Sequence, residues 1–213
     1  MNDYGEILKY MGHRGAVDAR LKALIVSSLE KLAPECAPHH VTMQFPCAAA
    51  GDCVTIGELN ITSKSLAAHL CNCTQAFVFA ATLGAAVDRL IAQRVKIDSA
   101  EGLCLQACAA VQIEDYCNGI EQGLAHEIKE QGLYLCPRFS PGYGDFDITH
   151  QTGILNILQA HKRIGLTETN AHMLTPLKSV TAVIGAAPEK MTHAPSDKCA
   201  GCSKTDCSFV RMA

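Results

Sequence analysis

The chain has 213 residues, of which 48% are hydrophobic and 18% are charged, and its formal net charge is −3. So small a charge, without any run of basic residues, argues against nucleic acid as a partner. No stretch approaches the roughly 18–20 apolar residues of a membrane span, so no membrane contact is expected. The first 15 residues contain no apolar signal-peptide segment, and we therefore predict a cytoplasmic location.

The 12 cysteines are the exception in this composition. In a secreted chain they would indicate a disulfide framework, but the sequence shows no export signal and has ample residues for a hydrophobic core. Reduced thiols in a cytosol fit better. Cys104, Cys108 and Cys117 stand among Ala, Leu and Val on a helical pattern, where they act as small hydrophobic residues.

The first third of the chain combines a helical pattern with strand patterns. Residues 16–32 repeat apolar side chains at intervals of three and four, which predicts an amphipathic helix that Pro34 ends. Residues 39–45 and 53–63 are rich in strand-forming side chains, and the second segment alternates over most of its length. We therefore predict strands in both.

The middle of the chain is mostly helical around one apolar strand. Ser63 predicts the cap of a short helix over 63–70. Residues 76–84 are a continuous apolar run of strand length, which predicts a buried strand, and 85–95 return to helical spacing. Residues 98–131 begin with a capping pattern and end at a glycine, so they predict the longest helix.

The last part of the chain predicts an extended segment over 133–139, one helix over 148–165, and two strand-like segments over 166–176 and 178–188. Helices and strands alternate without the glycine-rich turn of a nucleotide-binding fold. The pattern therefore predicts an α+β fold, with a twisted, mostly antiparallel sheet and packed helices. A change to polar composition predicts a domain over 1–188 and a cysteine-rich tail over 189–213.

Residues 138–147 read RFSPGYGDFD, and we call them the PGY segment. Pro141 and Gly142 fix and sharpen a turn, and Gly142 lets the backbone approach a ligand closely. The planar, permanently charged guanidinium of Arg138 suits a carboxylate, with an ion pair to a helix acid as the alternative. We predict that this segment holds a small charged cofactor and presents it to a larger partner.

From residue 138 to about 187 the chain resembles the S-adenosylmethionine-binding reactivation domain of cobalamin-dependent methionine synthase. The resemblance rests on the PGY segment, the helix GILNILQAHKRIGL, the LTE at 166–168, the proline in HMLTPLKSV and the strand SVTAVIG. It extends to the preceding helix, is strongest over 95–187, and is weaker before residue 95. It implies the activation-domain fold for residues 1–188.

The resemblance implies a stand-alone reactivator that binds S-adenosylmethionine and supports the reductive methylation of Co(II) cobalamin. Such a protein is an enzyme component of methionine synthase (methyltransferase) reactivation. The chain has no Asp-x-His-x-x-Gly motif, so the cobalamin is expected on a partner. That partner is a cobalamin-binding methionine synthase without its own reactivation domain, and an electron donor is a further partner.

The resemblance also implies roles for individual residues. The cofactor-binding set is Arg138, Ser140, Pro141, Gly142, Tyr143 and Asp145. Tyr143 is the catalytic residue, beside the corrin and the transferred methyl group, and its alternative is a tyrosine that anchors a turn. Asp145 departs from the family's usual Gly-Tyr-Pro-Ala-Cys-Pro, and an acid at this place favours the positively charged sulfonium.

The tail carries a Cys-x2-Cys-x4-Cys pattern at Cys199, Cys202 and Cys207. Three thiolates this close suit an iron–sulfur cluster, or zinc with a fourth ligand. Cys136 beside the PGY segment is the first candidate for that ligand. The other candidates are Cys47, Cys53, Cys71 and Cys73. A tail without metal is the alternative.

A second function remains open at this point. The altered residues 144–147 and the lack of the family's late aromatic pair also fit a subunit that does not use S-adenosylmethionine. Such a chain would be an iron–sulfur or zinc-binding electron-transfer or scaffold subunit of a corrinoid methyltransferase system. Binding of S-adenosylmethionine distinguishes the two functions.

Overall fold

An antiparallel sheet organises the computed structural model, which describes residues 4–190. Within that range the strands are β1 (His39–Ala50), β2 (Cys53–Ile56), β3 (Leu59–Thr62), β4 (Gln75–Thr82), β5 (Tyr134–Leu135), β6 (Thr167–Glu168), β7 (Leu174–Thr175) and β8 (Ser179–Ala187). Six of them form one sheet in the order β3-β2-β1-β4-β8-β5, and β6 and β7 form a separate hairpin. All pairings are antiparallel, so the predicted α+β fold is confirmed.

Seven α-helices accompany the sheet within residues 4–190. They are α1 (Tyr4–Tyr10), α2 (Ala19–Leu32), α3 (Lys64–His69), α4 (Ala85–Ile97), α5 (Ser99–Lys129), α6 (Gln151–Ile157) and α7 (Ala160–Arg163). Asp18 accepts a hydrogen bond from the Leu21 amide, so α2 begins three residues later than predicted. Asp98 caps α5 in the same way. None of these helices is both long and apolar enough to cross a bilayer.

The prediction of a single helix over 148–165 is wrong. The chain forms a 3-10 turn at Ile148–His150, then α6 and α7, separated by Gln159 in the left-handed conformation at φ 50°. Leu158 and Ala160 are both fully buried. A continuous helix would point two such residues about 200° apart, so the break lets both face the same core.

Strand β4 divides the protein into two hydrophobic cores. Phe77, Phe79 and Ala81 face the first core, which contains buried residues of α2, α4 and α5. The alternate residues Ala76, Val78 and Ala80 face the second core, with residues of α3 and α6. This two-residue alternation explains why β4 is apolar throughout, as predicted for a strand that is covered on both faces.

At the β5 edge of the sheet, the two faces are covered by different elements. The long helix α5 lies on the first side, and α3, α6 and Phe146 lie on the second. The edge strand β5 and the bridge between Phe139 and Val183 connect them. The PGY segment follows β5 directly, so it can contact both layers. The predicted boundary near residue 188 lies at the end of the described range and stays a prediction.

Two glycines of α5 give a matched test of helix packing. A Cβ atom on Gly102 would lie 2.4 Å from Val95 Cγ2 and 2.7 Å from Val95 Cα, whereas one on Gly119 would meet nothing within 4 Å. We expect Gly102→Ala to reduce the free energy of unfolding by about 1–3 kcal/mol, because α4 must move away. Gly119→Ala should raise it by about 0.5–1 kcal/mol through helix propensity.

Urea unfolding of both variants and the parent measures these changes. Equal effects of the two substitutions would contradict the close approach of α4 and α5.

Candidate functional site

The start of the PGY segment is fixed to β8. The Cys136 amide donates to the Gly185 carbonyl at 2.8 Å. Phe139 and Val183 exchange two backbone hydrogen bonds of 2.8 and 2.9 Å. This pairing extends the sheet edge by a few residues, so Phe139 turns to the second core and Arg138 turns to the side of α5.

A tight turn follows, with Tyr143 at its tip. The Tyr143 amide donates to the Ser140 carbonyl, and the Gly142 amide donates to the Phe146 carbonyl at 2.7 Å. Gly142 and Gly144 have φ values of 92° and 55°, which glycine adopts without a steric penalty. Phe146 is buried and anchors the turn, while Tyr143 is 54% exposed. The turn therefore presents one aromatic ring to the surroundings.

Arg138 lies against three polar residues of α5. Its guanidinium donates to Asn118 Oδ1 at 2.9 Å and to the carboxylates of Glu114 and Glu121. These acceptors are four and three residues apart and share one side of the helix, which we call the α5 acidic face (Glu114, Asn118 and Glu121). Only 10% of the Arg138 side chain is exposed. The ion pair foreseen as the alternative for Arg138 is therefore present.

The charges of this cluster do not cancel. Burial disfavours the charge on Arg138, but the hydrogen bonds and charges of Glu121 and Glu114 outweigh it and raise the pKa of the guanidinium. One guanidinium faces two carboxylates, which leaves one negative charge. Partial burial and then the charge of Glu114 raise the pKa of Tyr143, although the residue is 54% exposed.

The acidic face of α5 was not predicted. Glu114 and Glu121 are seven residues apart on a helix that is otherwise rich in buried apolar side chains. Two acids at this spacing on one helix side are a signal that could have been found. Tyr10 of α1 belongs to the same region: partial burial and then Glu114 raise its pKa. Tyr10 was not predicted either, because only the packing of α1 against α5 brings it to this region.

Asp145 caps α3. Its carboxylate accepts hydrogen bonds from Ser63 Oγ at 2.6 Å and from the Lys64 and Ser65 amides at 2.8 and 2.9 Å. These bonds stabilise the anion, so the pKa of Asp145 is well below its usual value. Asp145 was predicted to lie beside a sulfonium, and in the structure its carboxylate accepts three hydrogen bonds at the start of α3. The cofactor-binding role of Asp145 stays a prediction.

The other end of α3 also contacts this part of the chain. His69 Nε2 donates to the Pro137 carbonyl at 2.7 Å, and the His69 and Phe139 rings lie 5.1 Å apart. Burial lowers the pKa of His69, so the neutral ring is favoured in the fold. Helix α3 thus holds the chain on both sides of the turn, through Asp145 and through Pro137.

The exposed surface around Tyr143 is apolar as well as aromatic. Ile148 is 40% exposed and lies against Gly142. In the β6–β7 hairpin, which contacts α6 through Gln151 and Thr152, Met173 is 57% exposed. His172 Nδ1 donates to the carboxylate of Glu168 in the LTE sequence at 3.1 Å, and the Thr152 hydroxyl also donates to Glu168. Glu168 therefore stabilises the hairpin.

The predicted metal ligands fall into two groups. Cys199, Cys202 and Cys207 lie outside the described residues, so their role stays a prediction. Cys136 is buried, and its sulfur lies 3.4 Å from that of Cys73. Within residues 4–190, no group of three or more His, Cys, Asp or Glu side chains is arranged to hold a metal ion. Cys136 as a fourth ligand also stays a prediction.

Comparisons with known proteins support the fold. No protein-family model matches the sequence, and no curated protein matches it. Among solved structures, the chain is similar to the crystal structure of the MetH reactivation domain bound to AdoHcy, with a TM-score of 0.65 and 18% identity. The similarity covers 91% of this chain and 72% of that one, which is well beyond residues 95–187. The chain has the fold of that domain.

Replacement of Asp145 tests the contact between the turn and α3. We expect Asp145→Ala to lower the melting temperature and to speed amide hydrogen exchange at Lys64 and Ser65, because both amides lose their acceptor. Asp147→Ala is the control, since Asp147 caps only the short turn at Ile148–His150. Unchanged exchange at Lys64 and Ser65 in Asp145→Ala would show that the cap is not needed.

The burial of His69 predicts a dependence of stability on pH. Its pKa in the fold is below the unfolded value of 6.5, so the unfolded chain binds more protons as the pH falls through that value. The contribution of neutral His69 is therefore complete above about pH 6.5 and decreases below it. The chain has nine histidines, so the parent must be compared with His69→Gln between pH 7.5 and 5. Parallel stability curves would contradict this prediction.

Proposed function

We propose that this protein is a stand-alone reactivator of a cobalamin-dependent methionine synthase. It binds S-adenosylmethionine and supports the reductive methylation of Co(II) cobalamin on a partner protein. The observation that carries this proposal is the position of Arg138, buried against the α5 acidic face next to an exposed Tyr143. The fold supports it, because the similar MetH domain was crystallised with AdoHcy.

The charges at Arg138 fit the methionine part of the ligand. A free amino acid group carries a carboxylate and an ammonium, which require a cation and an anion close together. Arg138 is the cation for the carboxylate, and its guanidinium has five N–H donors, more than the three hydrogen bonds to α5 use. Glu114 and Glu121 are the anions for the ammonium. The negative charge left in this cluster also favours a ligand with a sulfonium.

The turn at Ser140–Tyr143 fits the rest of the ligand. Gly142 is exposed and has no side chain of its own, so a ligand can approach its backbone from the side that Ile148 does not cover. Pro141 is buried and makes the turn rigid. Ser140 offers its backbone and hydroxyl groups to the carboxylate or the adenine. A rigid backbone of this kind binds a ligand with little loss of entropy.

S-Adenosylmethionine, when bound, supplies an activated methyl group whose transfer is effectively irreversible and so favours an otherwise uphill reduction of cobalt. The residues of this chain orient that group and limit the access of water. Tyr143 borders the ligand on the side of the partner. Placement of this kind is the main contribution that a protein makes to a transfer between two bound groups.

The partner is a cobalamin-binding methionine synthase that lacks its own reactivation domain. The exposed side chains of Tyr143, Ile148 and Met173 are the surface of this chain that it would cover. An electron donor is a further partner. An iron–sulfur cluster held by Cys199, Cys202 and Cys207 would be a route for that electron, whereas zinc at the same cysteines would be structural only. Metal analysis after anaerobic purification distinguishes the two.

Calorimetric titration with S-adenosylmethionine tests the proposed function. We expect the parent to bind in the micromolar range and Arg138→Ala to bind roughly 10–100-fold more weakly, because a charged hydrogen-bond partner is lost. The matched control is Arg94→Ala, since Arg94 also forms an ion pair with α5, at Glu101. That variant should bind as tightly as the parent.

Two results would contradict the proposal. A parent protein that does not bind S-adenosylmethionine would favour the electron-transfer or scaffold subunit. Equal affinities of Arg138→Ala and Arg94→Ala for S-adenosylmethionine would show that the ligand does not bind at the α5 acidic face.

A further inference from the structure

A pair of buried thiols lies directly before the PGY segment. Cys73 is in the turn between α3 and β4, and Cys136 follows β5. Their sulfur atoms are 3.4 Å apart, and both residues are free thiols with exposures of 6% and 2%. This pair is independent of the charged cluster at Arg138 and has no part in the proposed binding of a ligand.

The space for the two sulfurs comes from Gly185 on β8. Cys136 hydrogen-bonds the Gly185 carbonyl on one edge of β8, and Thr74, next to Cys73, hydrogen-bonds the Ala186 carbonyl on the other edge. A Cβ on Gly185 would lie 2.5 Å from the Cys73 sulfur and 3.4 Å from the Cys136 sulfur. The two thiols therefore meet over the one position of the strand that carries no side chain.

The two thiols are hydrogen-bonded to each other, and either sulfur can be the donor. Two free thiols at this distance are the arrangement in which one sulfur reacts with an oxidant and the other resolves the product.

We propose that Cys73 and Cys136 are a redox site that forms a reversible disulfide. The sulfurs must approach from 3.4 Å to about 2.05 Å. The backbone is held at both cysteines, since the Cys73 amide donates to the Leu70 carbonyl at 2.9 Å and the Cys136 amide donates to the Gly185 carbonyl at 2.8 Å. Rotation of the two side chains, with small shifts in the turn that carries Cys73, must therefore supply the movement.

The proposed oxidant is hydrogen peroxide, a small molecule that accepts the two electrons lost by the two thiols. The thiolate of one of the two cysteines, such as Cys136, attacks one peroxide oxygen, the O–O bond breaks, and hydroxide leaves and takes up a proton to form water. The sulfur of Cys73 then attacks the Cys136 sulfenic acid. The S–O bond breaks, the proton of Cys73 leaves with a second water, and the S–S bond forms. Two thiols lose two electrons in total, and peroxide gains them.

The disulfide would tie the residues just before the PGY segment covalently to the turn that follows α3. Helix α3 already holds this part of the chain through Asp145 and through the His69 hydrogen bond to Pro137. The third connection, at Cys136, is the one that responds to oxidation. The position of the PGY segment relative to α3 then depends on the redox state of one thiol pair.

Peptide mapping of the full-length protein tests the site. The reduced protein is treated with less than one equivalent of hydrogen peroxide, the remaining thiols are alkylated, and a tryptic digest is analysed without reduction. We expect peptide 65–89 linked to peptide 130–138, with the link absent after treatment with dithiothreitol. Cys136 recovered only in alkylated form, or a link that dithiothreitol does not break, would overturn the proposal.

Peptide 65–89 contains both Cys71 and Cys73, so two variants identify the bonded sulfur. Cys71→Ser is the matched control, because Cys71 is exposed in the same turn, and it should keep the link to peptide 130–138. Cys73→Ser should lose it. Loss of the link in Cys71→Ser would overturn the assignment of the bonded sulfur to Cys73. Because Cys71 is exposed, its replacement does not alter the hydrophobic core. Since no ligand is added, failure here is distinct from failure of S-adenosylmethionine binding.

Discussion

The hydrogen bonds of the Asp145 carboxylate to the first turn of α3 are the contact on which the rest of the site depends. They hold the far end of the PGY segment, while β8 and His69 hold its start. A chain fixed at both ends can make the tight turn at Gly142 and Gly144 without support from a ligand. The exposed position of Tyr143 and the inward position of Arg138 both follow from that restraint.

The location of the turn at the sheet edge explains how it reaches two layers. Phe146 packs with α3 and α6 on one side of the sheet, and Arg138 reaches α5 on the other. Because β5 is short and lies at the edge, no further strand of the described chain separates these layers there. The site therefore combines a rigid backbone from one layer with charged side chains from the other.

The acidic face of α5 determines the electrostatic environment of Arg138. Arg138 lies between two carboxylates, so a cation and two anions are adjacent in this cluster, and the ligand proposed for it carries both charges. The same carboxylates hold the guanidinium in one orientation, which would reduce the side-chain entropy lost when the proposed ligand binds. This arrangement is a physical reason to favour a zwitterionic amino acid over a simple carboxylate.

Local sequence patterns determined most of the elements of the fold. The apolar run of β4, the Ser63 cap of α3 and the length of α5 were all predicted, because short-range hydrophobic periodicity and capping decide them. The broken helix at Gln159 was not, since its left-handed residue is adopted only where Leu158 and Ala160 must share one core. Likewise the PGY segment was predicted to be a functional loop, which stays a prediction. A pairing of Arg138 with a helix acid was foreseen only as an alternative, and the specific partners of Arg138 and Asp145 were not predicted. Asp145 bonds to residues 80–82 positions away, and Arg138 pairs with a helix that ends before the segment begins. Such contacts depend on how layers pack, and no spacing within a loop encodes that.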